Sequence, residues 1–240
     1  MKHYKVWDRT VRWFHWINVL CITGLITFGL LLLNDDAFGF GKDGKILLKT
    51  IHAYIGYVFV INLAVRLVWG FVGGPYSRWK RVLPFYKGYL KETGDYLKQG
   101  NFYKGHNPVA RLIVSLLFLL MITQATTGLV LAGTDLYLPP FGHEIAEWIT
   151  GDTEDHKKIK DLTPKNKTNV DKKLYKEMRA FRKPYISLHV TVFYILAGLI
   201  IFHILGVIVT ELRERNGIIS AMFTGEKVSD KEPVDDLPDK

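Results

Sequence analysis

Residues 186–210 read ISLHVTVFYILAGLIIFHILGVIVT, a run without a single Asp, Glu, Lys or Arg. As a helix at about 1.5 Å per residue this run is longer than a hydrocarbon core of about 30 Å. Three further stretches are nearly as apolar: Trp13 to Leu33, about Thr50 to Phe71 with one charged residue, Arg66, and Val109 to Leu131 with one, Arg111. Every backbone N–H and C=O must be satisfied within a segment that meets lipid, so each stretch is expected to be a helix. The fold expected is an all-α integral membrane protein, a four-helix transmembrane bundle. Average composition would not have shown this, since 48% apolar and 23% charged residues suit a soluble domain equally well.

The regions outside the spans carry the charge, +9 net over 240 residues. Lys2, Lys5, Arg9 and Arg12 precede the first span, and Arg78, Lys80, Arg81, Lys87, Lys91, Lys98 and Lys104 follow the second. Short basic loops favour the cytoplasmic side, which places both termini there in an up-down-up-down arrangement. The loop of 132–184 holds eleven Lys/Arg against nine acids and reads as an extra-cytoplasmic elaboration, either a partner-docking element or a solvated connector. Phe85, Tyr86, Tyr89, Leu90, Tyr96 and Leu97 recur at helical spacing and suggest an interfacial helix on the cytoplasmic side. Asn107-Pro108 reads as the N-cap and first turn of the third span. Residues 1–225 are expected to form one membrane domain, and the acidic tail 226–240 to be disordered. The first span is too long for a signal-peptide core and no small-x-small cleavage site follows it.

Cys21 is the one cysteine, so a disulfide framework, a Cys-ligated zinc site, a Cys-held iron-sulfur cluster and a thioether-bound haem are all excluded. It reads as a small packing residue. The informative residues are the histidines inside the spans, His15, His52, His189 and His203, because ionisable groups in lipid are costly and mark function. His189 and His203 are 14 residues apart. That spacing puts them on one helix face, about 21 Å apart along the axis. Matching depths pairs His52 with His189 at the outer side and His15 with His203 at the inner side. Two bis-histidine sites stacked across the membrane follow, and a planar haem between facing helices is the cofactor that such sites suit. Gly56 and Gly206 are candidates for clearing room beside a macrocycle, or simply for close helix packing. Arg12, Arg66 and Arg111 are candidates for pairing with propionates, or for snorkelling to headgroups. His3, His106, His143 and His156 lie outside the spans; His106, beside a helix mouth, is read as a loop histidine, the alternative being a quinone or propionate role.

These residues resemble a known family. Val6-Trp7-Asp8-Arg9, Arg12-Trp13-Phe14-His15-Trp16, His52-Ala53-Tyr54-Ile55-Gly56, Arg66-Leu67-Val68-Trp69-Gly70-Phe71-Val72-Gly73, Gly105-His106-Asn107-Pro108, and His189 with His203 together are similar to the bacterial cytochrome b-561 family, in particular to b-type cytochrome subunits of membrane-bound nickel-iron hydrogenases and, distantly, to formate dehydrogenase gamma subunits. The resemblance implies two haem b groups in the bacterial inner membrane. It also implies electron transfer between a periplasmic redox protein, a nickel-iron hydrogenase or a multihaem cytochrome c, and the quinone pool. The long Lys-rich segment from Asp152 to Lys183 departs from the hydrogenase pattern and leaves the partner open. Membrane lipid is the other expected contact, and no nucleic acid is. Two rivals remain: a stand-alone quinone-linked oxidoreductase such as a superoxide oxidase, and a metal or proton transporter, which would gather its ligands at one depth.

Overall fold

The computed structural model describes residues 1–151 and 157–236. Nearly all regular structure is helical. Four helices are long and apolar enough to cross a membrane: α1 (Arg9–Leu33), α2 (Lys42–Val72), α5 (Pro108–Leu136) and α8 (Lys172–Glu214). Shorter helices lie between and after them: α3 (Trp79–Val82), α4 (Tyr89–Gln99), α6 (Gly142–Thr150), α7 (Lys157–Lys160) and α9 (Ile218–Thr224). Large apolar side chains such as Leu20, Phe71, Phe202 and Leu212 stand exposed along the four long helices, a distribution that only lipid can cover.

Local chemistry explains where these helices begin. Asp8 caps α1, its carboxylate accepting from Val11 N–H at 2.9 Å. Asn107 caps α5 in the same way, through Ala110 N–H at 2.8 Å, with Pro108 in the first turn. Asp171 caps α8 by accepting from Lys173 and Leu174 N–H at 2.8 and 2.9 Å. The helix thus starts fourteen residues before the apolar run at Ile186 and passes through Pro184. Hydropathy cannot see this extension because it is polar on one side; its other side packs Met178 against Ile145 and Ile149 of α6.

The chain divides into two compact units. One comprises Met1–Asn18, Asn62–Met121 and Ile195–Lys240; the other comprises Val19–Ile61 and Ile122–Tyr194. In the first unit, β1 (Lys2–Lys5) pairs antiparallel with β2 (Glu226–Ser229), Tyr4 opposite Lys227. Tyr4, Val6, Trp7, Val11, Tyr76, Phe102 and Ala221 form its core. Gly225 joins α9 to β2 at a φ of 88°, and a Cβ there would lie 2.7 Å from the Trp7 carbonyl oxygen, so only glycine fits.

The expected disordered tail is different in the structure. Lys227 is buried and donates to the carbonyls of Tyr103 and Gly105 at 3.1 and 2.9 Å. Asp235 accepts from the N–H groups of Lys104 and Gly105 at 2.6 and 2.9 Å. The acidic composition that suggested disorder instead satisfies backbone donors of the 102–105 segment. Residues 237–240, Asp239 among them, lie outside the described residues.

The interfacial segment is present as α4, with Leu90 and Leu97 exposed and Phe85 just ahead of it also exposed. Its tyrosines turn inward rather than toward headgroups. Tyr89 donates to the Pro108 carbonyl at 3.1 Å and Tyr96 to Glu214 at 2.8 Å.

In the second unit, Asp135 of α5 accepts from Lys49 of α2 at 2.6 Å and from Arg182 Nη2 of α8 at 2.8 Å, fastening three helices together. Cys21 is buried and reduced, as a packing residue should be.

Candidate haem-ligand sites

Each unit holds one of the two histidine pairs. In the second unit His52 on α2 and His189 on α8 face one another with ring centres 6.4 Å apart and ring planes inclined at 72°. Two imidazoles binding one metal from opposite sides would have ring centres about 6 Å apart, given about 2 Å from metal to nitrogen and about 1 Å from nitrogen to ring centre. The observed spacing therefore fits an iron held between them.

Thr127 sets the chemistry of this pair. Its Oγ1 lies 2.8 Å from His189 Nδ1 and donates its own proton to the Thr123 carbonyl at 2.8 Å. The hydroxyl must then accept from Nδ1–H, leaving the Nε2 lone pair free for a metal. Two glycines lie against the rings: a Cβ on Gly29 would come 3.5 Å from His52 Cε1, and one on Gly128 would come 3.4 Å from His189 Cε1. Gly56 and Gly206, the candidates from sequence, touch neither ring. His52 Nδ1 is buried and makes no well-formed hydrogen bond, although the Leu25 carbonyl is near the ring.

In the first unit His15 on α1 and His203 on α8 lie within electrostatic range of one another, and His15 Nδ1 is buried without a partner. Arg66 and Arg111 do not snorkel. Arg66 is buried, donates through Nη2 to the Ser77 carbonyl at 3.0 Å, stacks over Trp79 and Phe118, and keeps Nη1 unpartnered. Arg111 is buried, stacks over Tyr86 and donates through Nε to the His106 carbonyl at 3.2 Å. Arg12 donates to the Phe223 carbonyl and has a buried, unpartnered Nε. Unpartnered guanidinium donors in the unit that holds a histidine pair suit the carboxylates of a haem.

His106 is not a solvated loop residue. Its ring packs 4.7 Å from that of Trp7, and its Nδ1 is buried and unpaired. Burial pushes its pKa down to about 3, with the positive charges of Lys227, Arg66 and Arg111 adding to the effect. Beside it, burial pulls Lys227 down to about 8 against the opposing pull of Asp235 and Glu214. Both line a cavity of about 30 Å³ that Glu214, Asn216 and Thr210 also reach. His3 and His143 pair with Glu226 and Glu147, and His156 lies outside the described residues. Among the described residues no group of three or more His, Cys, Asp or Glu side chains gathers to hold an ion unaided.

A family model for prokaryotic cytochrome b561 matches residues 6–225. The chain is similar to the probable Ni/Fe-hydrogenase 1 B-type cytochrome subunit of Escherichia coli K12, 32% identical over 145 residues that cover 55% of this chain and 60% of that protein. It is also similar to the probable Ni/Fe-hydrogenase B-type cytochrome subunits of Rhizobium leguminosarum bv. viciae, 27% identical over 60% of this chain and 66% of the relative, and of Rhodobacter capsulatus, 26% identical over 65% of each. The chain thus spans about 60% of the length of the Escherichia coli relatives that it matches. No solved structure matches it significantly. With four helices long and apolar enough to cross a membrane and a family match over nearly its whole length, the chain belongs to the prokaryotic cytochrome b561 family.

Proposed function

We propose that this protein holds two b-type haems, one between His52 and His189 and one between His15 and His203, and passes electrons between an extra-cytoplasmic redox protein and the quinone pool. The observation that carries this reading is the 6.4 Å spacing of the His52 and His189 rings together with the Thr127 contact that frees Nε2. Iron bound between two imidazoles supplies one-electron exchange and has no open position for oxygen chemistry. The protein's residues do the rest. The facing histidines fix ring orientation, Thr127 sets the tautomer of one ligand, and Arg66 and Arg111 hold positive charge in the unit with the other pair.

The names of the relatives favour a nickel-iron hydrogenase as the partner; the lysine-rich 157–183 segment equally suits a multihaem cytochrome c. The proposed setting is the bacterial inner membrane, with both termini in the cytoplasm and the His52/His189 pair on the outer side. Electrons arriving from outside and protons drawn from the cytoplasm at a quinone would separate charge. Proteoliposomes supplied with the reduced partner and a quinone should then build a membrane potential during turnover; turnover without a potential would end this reading.

Replacing Thr127 by valine removes the acceptor from His189 Nδ1–H and makes the ligand less basic. The potential of that site should rise by up to about 40 mV, since a hydrogen bond is worth about 1 kcal/mol and about 59 mV corresponds to 1.4 kcal/mol for one electron. Redox titration of the haem absorbance checks this, and the second component should not move.

A further inference from the structure

The near balance of charge in the 132–184 loop conceals a segregation. Between residues 157 and 183 stand eleven Lys/Arg against only Asp161, Asp171 and Glu177. Asp171 is committed to capping α8. Lys172, Lys176, Arg179 and Lys183 recur on α8 at steps of four, three and four, which keeps all four within about 60° of arc. All four are exposed, and none has an ion-pair partner among the described residues. Tyr175 and Met178 of the same turns pack on the α6 core, so the cations form a rail on a fixed support. Like charges at this spacing repel by a few tenths of a kcal/mol per pair, a cost that an anionic partner removes.

Height decides between lipid and protein as that partner. Lys172 precedes the apolar run at Ile186 by fourteen residues, about 21 Å of helix. Even at a tilt of about 40° it stands about 16 Å beyond the hydrocarbon. The headgroup layer is only about 5–8 Å thick on each side, and the Debye length is about 8 Å. Lys183 is placed to meet headgroups, and Arg179 reaches them only at the steepest tilt, whereas Lys172 and Lys176 stand beyond that layer. Lys183 is also six residues from His189, about 9 Å along the helix.

We propose that this rail docks an acidic face of the soluble one-electron redox protein that exchanges electrons with the His52/His189 site. The inference rests on the electron-transfer reading above. In the exchange one electron leaves the reduced partner and is taken up at the site, with no bond made or broken.

The test uses the full-length haem-loaded protein in nanodiscs and two probes of similar potential, an acidic and a basic soluble c-type cytochrome. Stopped-flow rates for the acidic probe should fall about tenfold as salt rises from about 0.01 M to about 0.15 M, over which the Debye length shrinks from about 30 to about 8 Å. The combined substitution Lys172→Glu, Lys176→Glu and Arg179→Glu should slow the acidic probe about tenfold at low salt and speed the basic one. Its haem spectrum and its rate with quinol should stay unchanged, showing that the fold and the haem sites are intact. Equal rates for wild type and variant with both probes would overturn the proposal. So would loss of co-purified phosphatidylglycerol from the variant with probe rates unmoved, which assigns the rail to lipid. Absence of haem from the wild type would defeat only the electron-transfer reading. Docking is then read from binding of a labelled acidic cytochrome, which the variant abolishes if the rail is the site and leaves intact if it is not.

Discussion

His189→Ala is expected to remove one b-type haem and leave the other, so that the pyridine haemochrome count falls from about two per chain to about one. The substitution would take away one of the two imidazoles proposed to hold that haem, and with it the ring whose Nδ1 is 2.8 Å from the Thr127 hydroxyl. One remaining imidazole and packing alone should not retain the group through purification. His52→Ala should delete the same spectral component, because its ring faces that of His189 at 6.4 Å. His203→Ala and His15→Ala should delete the other. The double variant His52→Ala with His189→Ala should look no worse than either single one, the behaviour of residues acting as a unit. If His189→Ala and His203→Ala erased the same component, the pairing would be wrong; if neither changed the spectrum, the haem reading itself would fall.

Asp8→Ala should cost on the order of 3 kcal/mol of stability, the second large effect. Asp8 caps α1 through Val11 N–H and also accepts from Trp69 Nε1 at 2.9 Å and Ser77 Oγ at 2.6 Å. Loss of the cap is worth about 1 kcal/mol, and hydrogen bonds to a charged acceptor about 1.5–3 kcal/mol each, discounted here because Asp8 is only half-buried. Asp8→Asn should recover part of the loss, since one amide oxygen can still accept but the NH₂ opposes a donor.

The pH dependence has a definite sign. Burial alone would raise the Asp8 carboxyl, yet the hydrogen bonds from Ser77, Trp69 and the backbone outweigh it and hold the group below its usual value. A depressed carboxyl stabilises the fold above the unfolded-state pKa of about 3.9 and loses that contribution as pH falls through its lower folded value. The gap in melting temperature between wild type and Asp8→Ala should therefore be constant near neutrality and narrow below about pH 4. A gap that widened in acid would contradict this account.

The histidines stand out in the sequence because lipid is a severe filter: an imidazole in an apolar run costs free energy, so four of them at two depths are the ground for proposing two sites. Helix number, the Asn107-Pro108 start of α5 and the membership in a haem-binding family were legible for the same reason, each being written in a local run or motif. Thr127, Gly29 and Gly128 were not legible. Thr and Gly are ordinary in membrane helices, and only the packing of α5 and α1 beside His189 and His52 gives those three positions meaning. Asp8 was visible as part of a motif, but two of its three donors, Trp69 and Ser77, come from 61 and 69 residues away in the chain.

The C-terminal segment shows the limit from the other side. Composition read 226–236 as a solvated acidic tail, whereas pairing with Lys2–Lys5 and with the backbone of 102–105 makes it structural. What the sequence by itself determined was where the chain must leave water, because hydrophobic length is a local property. Which polar atoms meet inside, and hence which ligand nitrogen is free and which termini are held, depends on residues far apart in the chain and was decided only by tertiary packing.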